Sequence, residues 1–490
     1  MKKTPWIVIA ALSATSYLGG AWAARAFEGE PRVQPAAASL FHAAIDTVLR
    51  NHVDGGERQA LYDGAAEGLL ASLGDPYAEL LQDERYRSYN QRLSGTRLGL
   101  KLSLQPHEGG VTLTPSALRA MGADIGIGPL DEILEVNGLS TEGWTPADAA
   151  RALAGSDGNE ITLLIRRHGS SRTEIRRVAR TEVHVPAVSP GVMLSGRTGY
   201  VALHAFTEAS PRELREAVEG LRARGMRTLI LDLRHNPGGL IPQAVEAAGL
   251  FLGRGDTVAV TRGRTPTHSR VYVSRTPEAW PNLRLAILVN GATASASELM
   301  AAALKDHGRA IVVGTNTFGK GVIQTTFPLR EEVAVKFTTA RWYSPGGTWI
   351  QRQDSSGEKS GVIPNVRVEP TRSSGRRILE RVMGNDAELF TAVVGAYVGN
   401  LRAQGASAVL NATVTPAMVD ELWQQFEAAG ASVSRRTYDR MTPHVRERLR
   451  GEIVRQMWGE EAALRIELSD DRYVTTALEA LQQRRGRVRR

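Results

Sequence analysis

Three short stretches of this 490-residue chain combine residue types that could carry out a reaction: RHNPGG at 234–239, NGATASASE at 290–298 and GTNTFGKG at 314–321. The last invites comparison with the phosphate-cradling signature G-x-x-x-x-G-K-[ST]. That loop needs a hydroxyl directly after the lysine to hold magnesium, and a helix starting there to aim N–H groups at phosphates. Here Gly321 follows Lys320, and VIQTTFP at 322–328, β-branched and closed by proline, predicts a strand. A serine, a glycine pair and a lysine on three loops point instead to acyl transfer. Ser295, expected where a strand turns into a helix, would expose its hydroxyl beside the helix's first N–H groups. The Ala296 N–H and a glycine N–H from Gly238–Gly239 could stabilise an oxyanion, because glycine lets the backbone approach a substrate closely. The base could be His204, His235 or His307, none marked by its context, or Lys320, since a neutral amine can take a serine's proton. Gln324, four residues beyond Lys320, could orient that amine through its amide oxygen.

The elements that must position these loops are readable around them. Each loop follows an apolar run: TLILDL at 228–233, LAILV at 285–289 and AIVV at 310–313. Ligands of open α/β sheets bind outside the carboxyl ends of such strands. A strand in GYVALHAF (199–206) precedes a helix in which Ser210 is expected as cap, Pro211 as first residue and Glu213 as partner in a capping box. Its apolar stripe is Leu214, Ala217, Val218 and Leu221. Further helices are expected over 242–252 and 296–304. Strand-helix-strand repetition of this kind implies a largely parallel sheet.

The flanks differ in texture. Residues 38–93 show helical periodicity, broken by LGDPY at 73–77. Residues 94–168 read as short strands and glycine turns, with ILEVNG (133–138) ending in an Asn-Gly turn and a helix expected over 145–153. From 373 to 490 the pattern is helical again, over 387–398, 416–428 and 444–457, and the arginine-rich end at 484–490 predicts a solvated tail rather than a nucleic-acid contact. At the other end Lys2 and Lys3 precede an uncharged, mostly apolar run from Thr4 to Ala24, which predicts a secretory signal or an uncleaved membrane anchor within residues 1–26. The flanking lysines would stay cytoplasmic and the rest of the chain outside, in the periplasm or cell envelope. With no cysteine, disulfides, thiolate catalysis and cysteine-based metal sites are excluded. A composition 42% hydrophobic and 23% charged, with net charge +8, is that of an ordinary globular protein.

SASEL at 295–299, DHGRA at 306–310 and TFGKGVIQ at 317–324 closely resemble the carboxyl-terminal processing, or tail-specific, peptidases. LDLRHNPGG (231–239), GDPY (74–77), RWYSPGG (341–347) and GVIPN (361–365) are similar to that family's pattern too, and the likeness covers about residues 38–370. The resemblance implies a crotonase-like α/β protease core at 169–372 and a PDZ domain at 94–168. By position it implies Ser295 as nucleophile, Lys320 as base, Gln324 as its orienter, and Gly239 and Ala296 as oxyanion donors, with no metal or cofactor. Arg97, Leu98, Gly99 and Leu100 match where such modules hold a peptide's terminal carboxylate; Leu130, where these modules usually carry glycine, departs from the pattern. The expected partners are proteins with accessible C-termini, an adaptor or activating partner, and a second copy through the helical domains. The competing expectation is a non-catalytic envelope scaffold that binds peptide ends on a protease-like core.

Overall fold

In the computed structural model, the description covers residues 35–487 except 101–103, 108–109, 114–126, 128–130, 142–143, 145–151, 154–159, 168–169, 353–360, 369–378, 380–381, 404 and 406–412. The apolar runs behind the three loops lie side by side. Thr198–Ala202 (β1), Thr228–Asp232 (β2), Arg284–Val289 (β3) and Ala310–Gly314 (β4) pair in parallel in that order. Val192–Met193 adds an antiparallel edge on β1, and Val366–Arg367 a parallel one on β4. Every residue of β2 and β4 is buried, as a run covered on both faces must be.

Successive side chains of a strand point to opposite faces, and the two sets find different partners. Leu229, Leu231, Leu285, Ile287, Val289 and Val312 join the core formed with helices Ser210–Ala223 (α1), Ile241–Gly249 (α2) and Ala296–Asp306 (α3). Ile230, Ala286, Leu288, Ile311 and Val313 pack with Val474, Ala477 and Leu481 of the helix Arg472–Arg487 (α4). Arg284, at the amino end of β3, donates to the Leu481 carbonyl at 3.1 Å, while Asp471 meets Arg234 just past the carboxyl end of β2. The helix α4 therefore runs antiparallel to the strands.

That placement corrects the expectation of one helical domain over 373–490. Ala387–Ala403, Pro416–Ala428, Arg435–Arg440 and Thr442–Trp458 do share a core of their own around Phe390, Trp423, Phe426 and Tyr438. The chain then turns at Gly459 (φ 86°), and α4 returns to the α/β sheet. Helix continues through Arg487, within the basic end.

The start of α1 also differs. Ser210 lies within the first turn, its hydroxyl donating to the Thr207 carbonyl at 2.8 Å, and Ala209 occupies the cap position. Glu213 does not fold back on the helix. Its carboxylate accepts the N–H groups of Ala187 (2.8 Å) and Val188 (3.1 Å) and the His184 ring, because donors from the incoming chain offer more than a local box.

An antiparallel sheet lies beside this core. Thr257–Gly263 pairs with Arg270–Val273 and with Val333–Tyr343, and the latter forms a long hairpin with Val322–Arg330. The β-rich module consists of Leu104–His107, Gly110–Leu113, Glu132–Val136, Glu160–Arg166 and Thr173–Ala179, with the Asn137–Gly138 turn at φ 51° and 78° as a two-residue hairpin loop requires. Its sheet continues to Ala179, past the boundary expected at 168. The helix expected over 145–153 and the turn around Leu130 fall largely outside the described residues. Thr96–Gly99 pairs with Thr181–His184, so one edge of the segment holding Arg97, Leu98 and Gly99 is taken within the chain, and Leu100 is buried in the module's core.

The described residues up to Leu80 form a separate unit. Pro35–Asn51 and Arg58–Ala71 are helices, with the Phe41 and Tyr62 rings 6.1 Å apart, and Asp75 of GDPY accepts the Tyr77 N–H at 3.0 Å. The helical region expected over 38–93 is thus divided, the helix Asp83–Ser94 belonging to the following unit. Among the described residues no helix is long and apolar enough to cross a membrane; the apolar N-terminal run lies outside them.

Candidate active site

All three loops leave the carboxyl ends of adjacent parallel strands, and buried polar groups fasten them to one another. Ser295 sits between β3 and α3 with φ 57° and ψ −118°, a conformation that costs a non-glycine residue about 1–3 kcal/mol and persists only where its surroundings enforce it. The enforcement is visible. The Thr293 hydroxyl donates to the Leu233 carbonyl at 2.8 Å, the Ala294 N–H to the Asn236 carbonyl at 3.0 Å, and the Ser297 hydroxyl to the same carbonyl at 3.1 Å. Asn236, fully buried, also donates to the Leu203 carbonyl and accepts the Gly238 N–H, both at 2.9 Å.

The glycine loop rests directly on the serine. Gly238 has φ +104°, and a Cβ there would lie 2.9 Å from both the Ala294 oxygen and the Ser295 Cβ, and 3.0 Å from the Ala296 nitrogen. Gly239 has φ +139° and bridges Phe206, whose oxygen a Cβ would meet at 2.2 Å. The Gly238 N–H is used internally, whereas the Gly239 and Ala296 N–H groups have no acceptor among the described residues. A Gly238→Ala chain should fold, yet its methyl group would push the glycine loop off Ser295. We expect turnover per active site to fall by about tenfold or more, measured as kcat after active-site titration.

Glu298 joins the serine loop to the lysine loop. It is fully buried in the first turn of α3, and its carboxylate is saturated with donors. One oxygen, Oε2, accepts the backbone N–H of Ser295 and that of Lys320, both at 2.8 Å. The other, Oε1, accepts the Gly319 N–H at 2.7 Å and the Thr317 hydroxyl. Two bonds meeting on one oxygen hold the Ser295 and Lys320 nitrogens no farther apart than twice that length. Burial pushes the Glu298 carboxyl above its ordinary range, and the donors from Thr317, Lys320, Gly319 and Ser295 pull against that shift.

Lys320, half-buried, is held from its other side by tryptophans of the hairpin and the segment after it. The Trp342 indole N–H donates to the Lys320 carbonyl and the Trp349 indole N–H to the Gly321 carbonyl, each at 3.0 Å. Gly321 N–H donates to the Gln351 side chain at 2.9 Å, and a Cβ at 321 would meet Trp349 Nε1 at 2.9 Å. The residue that excludes a phosphate loop is thus the one the tryptophan packs upon. Gln324 follows in the hairpin strand, half-buried, with its amide nitrogen 3.3 Å from the Thr338 hydroxyl.

Of the three histidines, His235 belongs to the RHNPGG loop itself, and His204 and His307 lie outside the three loops. The His235 ring contacts Asn290 at 2.9 Å, the His307 ring contacts the Thr257 carbonyl at 2.7 Å, and His204 is exposed. Among the described residues no group of three or more His, Asp or Glu side chains could hold a metal ion. Glu298, Asn236, Trp342 and Trp349 were not singled out in the sequence. Glu298 had a signal, the S-x-x-E spacing of a capping box opening at Ser295, and Asn236 and Trp342 lie within the quoted stretches RHNPGG and RWYSPGG, whereas nothing local marks Trp349.

Residues 197–368, which hold all three loops, match the profile described as Peptidase family S41. The chain belongs to that family. It is 30% identical over 340 residues to the probable CtpA-like serine protease of Staphylococcus aureus (strain N315), a stretch covering 68% of this chain and 66% of that relative. It is 29% identical over 326 residues to the carboxy-terminal processing protease CtpA of Bacillus subtilis (strain 168), covering 66% and 68%. A solved photosystem II D1 C-terminal processing protease is 27% identical, covering 66% of this chain and 86% of that one with a TM-score of 0.38. The S41 match ends before the helical region at 387–487.

Proposed function

We propose that this S41 chain is a serine-type endopeptidase that processes protein substrates near their C-termini by a Ser-Lys mechanism. The observation that carries the reading is the convergence on Glu298, whose carboxylate ties the backbone of Ser295 to that of Lys320. In the reaction the Ser295 hydroxyl attacks the scissile carbonyl carbon as its proton passes to the neutral Lys320 amine. The carbonyl oxygen, now negative, is met by the Gly239 and Ala296 N–H groups. Lys320 then gives its proton to the departing amine, the C–N bond breaks, and an acyl-enzyme remains on Ser295. Water, deprotonated by Lys320, releases the acid and restores the serine. Gln324 orients the amine between these steps.

The β-rich module is read as a PDZ domain that docks the substrate's C-terminal end by strand addition, with Arg97, Leu98, Gly99 and Leu100 near the terminal carboxylate. Residues 1–26 are read as the export signal or anchor that places the enzyme in the cell envelope. One experiment tests the site and its compartment together. A membrane-impermeant fluorophosphonate is applied to spheroplasts expressing the full chain, followed by mass spectrometry of the labelled peptide. The expected adduct is on Ser295. A chain that binds C-terminal peptides but takes no label and turns over no unstructured substrate is the scaffold of the competing reading.

A further inference from the structure

The helix α4 touches two of the three loops at their roots. Arg234, the first residue of RHNPGG, sits between two carboxylates: its Nη2 is 2.6 Å from Asp232 Oδ2, and its Nη1 is 2.7 Å from Asp471 Oδ2, one residue before α4. The guanidinium also lies over the Tyr473 ring, 4.9 Å from its centroid, and its side chain is only 17% exposed. Tyr200 donates to Asp232 Oδ2 at 2.7 Å, so that carboxylate is fixed as well. The same Tyr473 reaches the root of the lysine loop, where a Cβ on Gly314 would lie 3.2 Å from its Cε1. Asp471 Oδ1 meanwhile accepts the Tyr473 N–H at 2.7 Å, so the residue pairing with Arg234 also starts the helix.

Covering the sheet requires only apolar residues, and α4 has them in Val474, Ala477 and Leu481. It does not require a carboxylate and an aromatic ring in the first turn, aimed at the bases of the oxyanion loop and of the lysine loop. We propose that Asp471 and Tyr473 are positioning residues for the peptidase reaction: the first turn of α4 sets the RHNPGG and GTNTFGKG loops from behind, so that Gly239 and Lys320 address Ser295. The C-terminal segment is on this view a built-in part of the active site, although it lies outside the S41 match. The inference rests on the Ser-Lys reading above.

The test compares Asp471→Asn and Tyr473→Leu in the full chain with wild type, using an unstructured peptide and an active-site titrant. Asparagine is as good a helix cap as aspartate, so α4 keeps its start while the charge partner of Arg234 is lost. A loop set slightly wrong weakens transition-state contacts more than ground-state binding. The expected result is therefore kcat lower by about tenfold with KM within about twofold, the phosphonylation rate of Ser295 falling in parallel, and an unchanged circular-dichroism spectrum. Asp471→Glu should recover part of kcat. If the Asp471→Asn and Tyr473→Leu chains both fold and turn over at the wild-type kcat, the helix only covers the sheet and the inference is overturned. Should one variant fail to fold, the other decides. A wild-type turnover that survives Ser295→Ala would instead overturn the Ser-Lys reading on which the inference stands.

Discussion

Replacing Lys320 by arginine should abolish turnover as thoroughly as replacing it by alanine. A general base must lose its proton to act, and a guanidinium stays protonated in proteins, so the two basic side chains are not equivalent here. General-base catalysis contributes about 10²–10⁴-fold, and Lys320 is asked to serve in both acylation and deacylation, so a loss of about 10³-fold or more in kcat is expected. Both variants should fold, because the structure holds this residue by its backbone: its N–H is bound to Glu298 and its carbonyl to Trp342. The comparison set is His204→Ala, His235→Ala and His307→Ala, whose rings contact other groups or solvent. If Lys320→Arg retained wild-type turnover and a histidine variant lost it, the base would have been misassigned.

What the sequence disclosed was whatever is encoded locally. The runs TLILDL, LAILV and AIVV announce buried parallel strands by composition alone, and the loops after them follow from the rule that α/β sites lie at carboxyl strand ends. Glycines 238 and 239 could be read as places of close approach, and each proves to have neighbours that a Cβ would strike. What stayed hidden depends on long-range partners. Glu213 has the spacing of a capping box but binds Ala187 and Val188, some 25 residues back, which no local pattern encodes. The last helix has an ordinary amphipathic pattern that says it covers something, yet nothing in that pattern says it covers the α/β sheet rather than the helices preceding it. The roles of Trp342 and Trp349 were illegible for the same reason: an indole N–H is satisfied by any carbonyl within reach, and the fold alone determines that these belong to Lys320 and Gly321.

Glu298→Gln, a change of one atom, should cripple the enzyme nearly as severely. The carboxylate takes two donors on each oxygen, and an amide can supply only one such oxygen. If the amide nitrogen faces Ser295 and Lys320, two backbone N–H groups point at a donor and the link between the two loops is broken. If it faces the other way, the Gly319 N–H loses its acceptor, and so does the Thr317 hydroxyl proton, since the Thr317 oxygen already accepts the Val362 N–H at 2.6 Å. Either orientation leaves a buried donor unpaired, at a cost of about 1–3 kcal/mol, which a urea melt would read as a lower midpoint. The effect on turnover should be the larger one. Ser295 is held in a strained turn and Lys320 on a glycine-flanked loop, and displacements of about 1 Å at reacting groups cost about 10²-fold. A fall in kcat of about that size in the folded variant, with KM little altered, is the expected outcome. A variant that melts early yet turns over normally while folded would show that Glu298 supports the fold without setting the site.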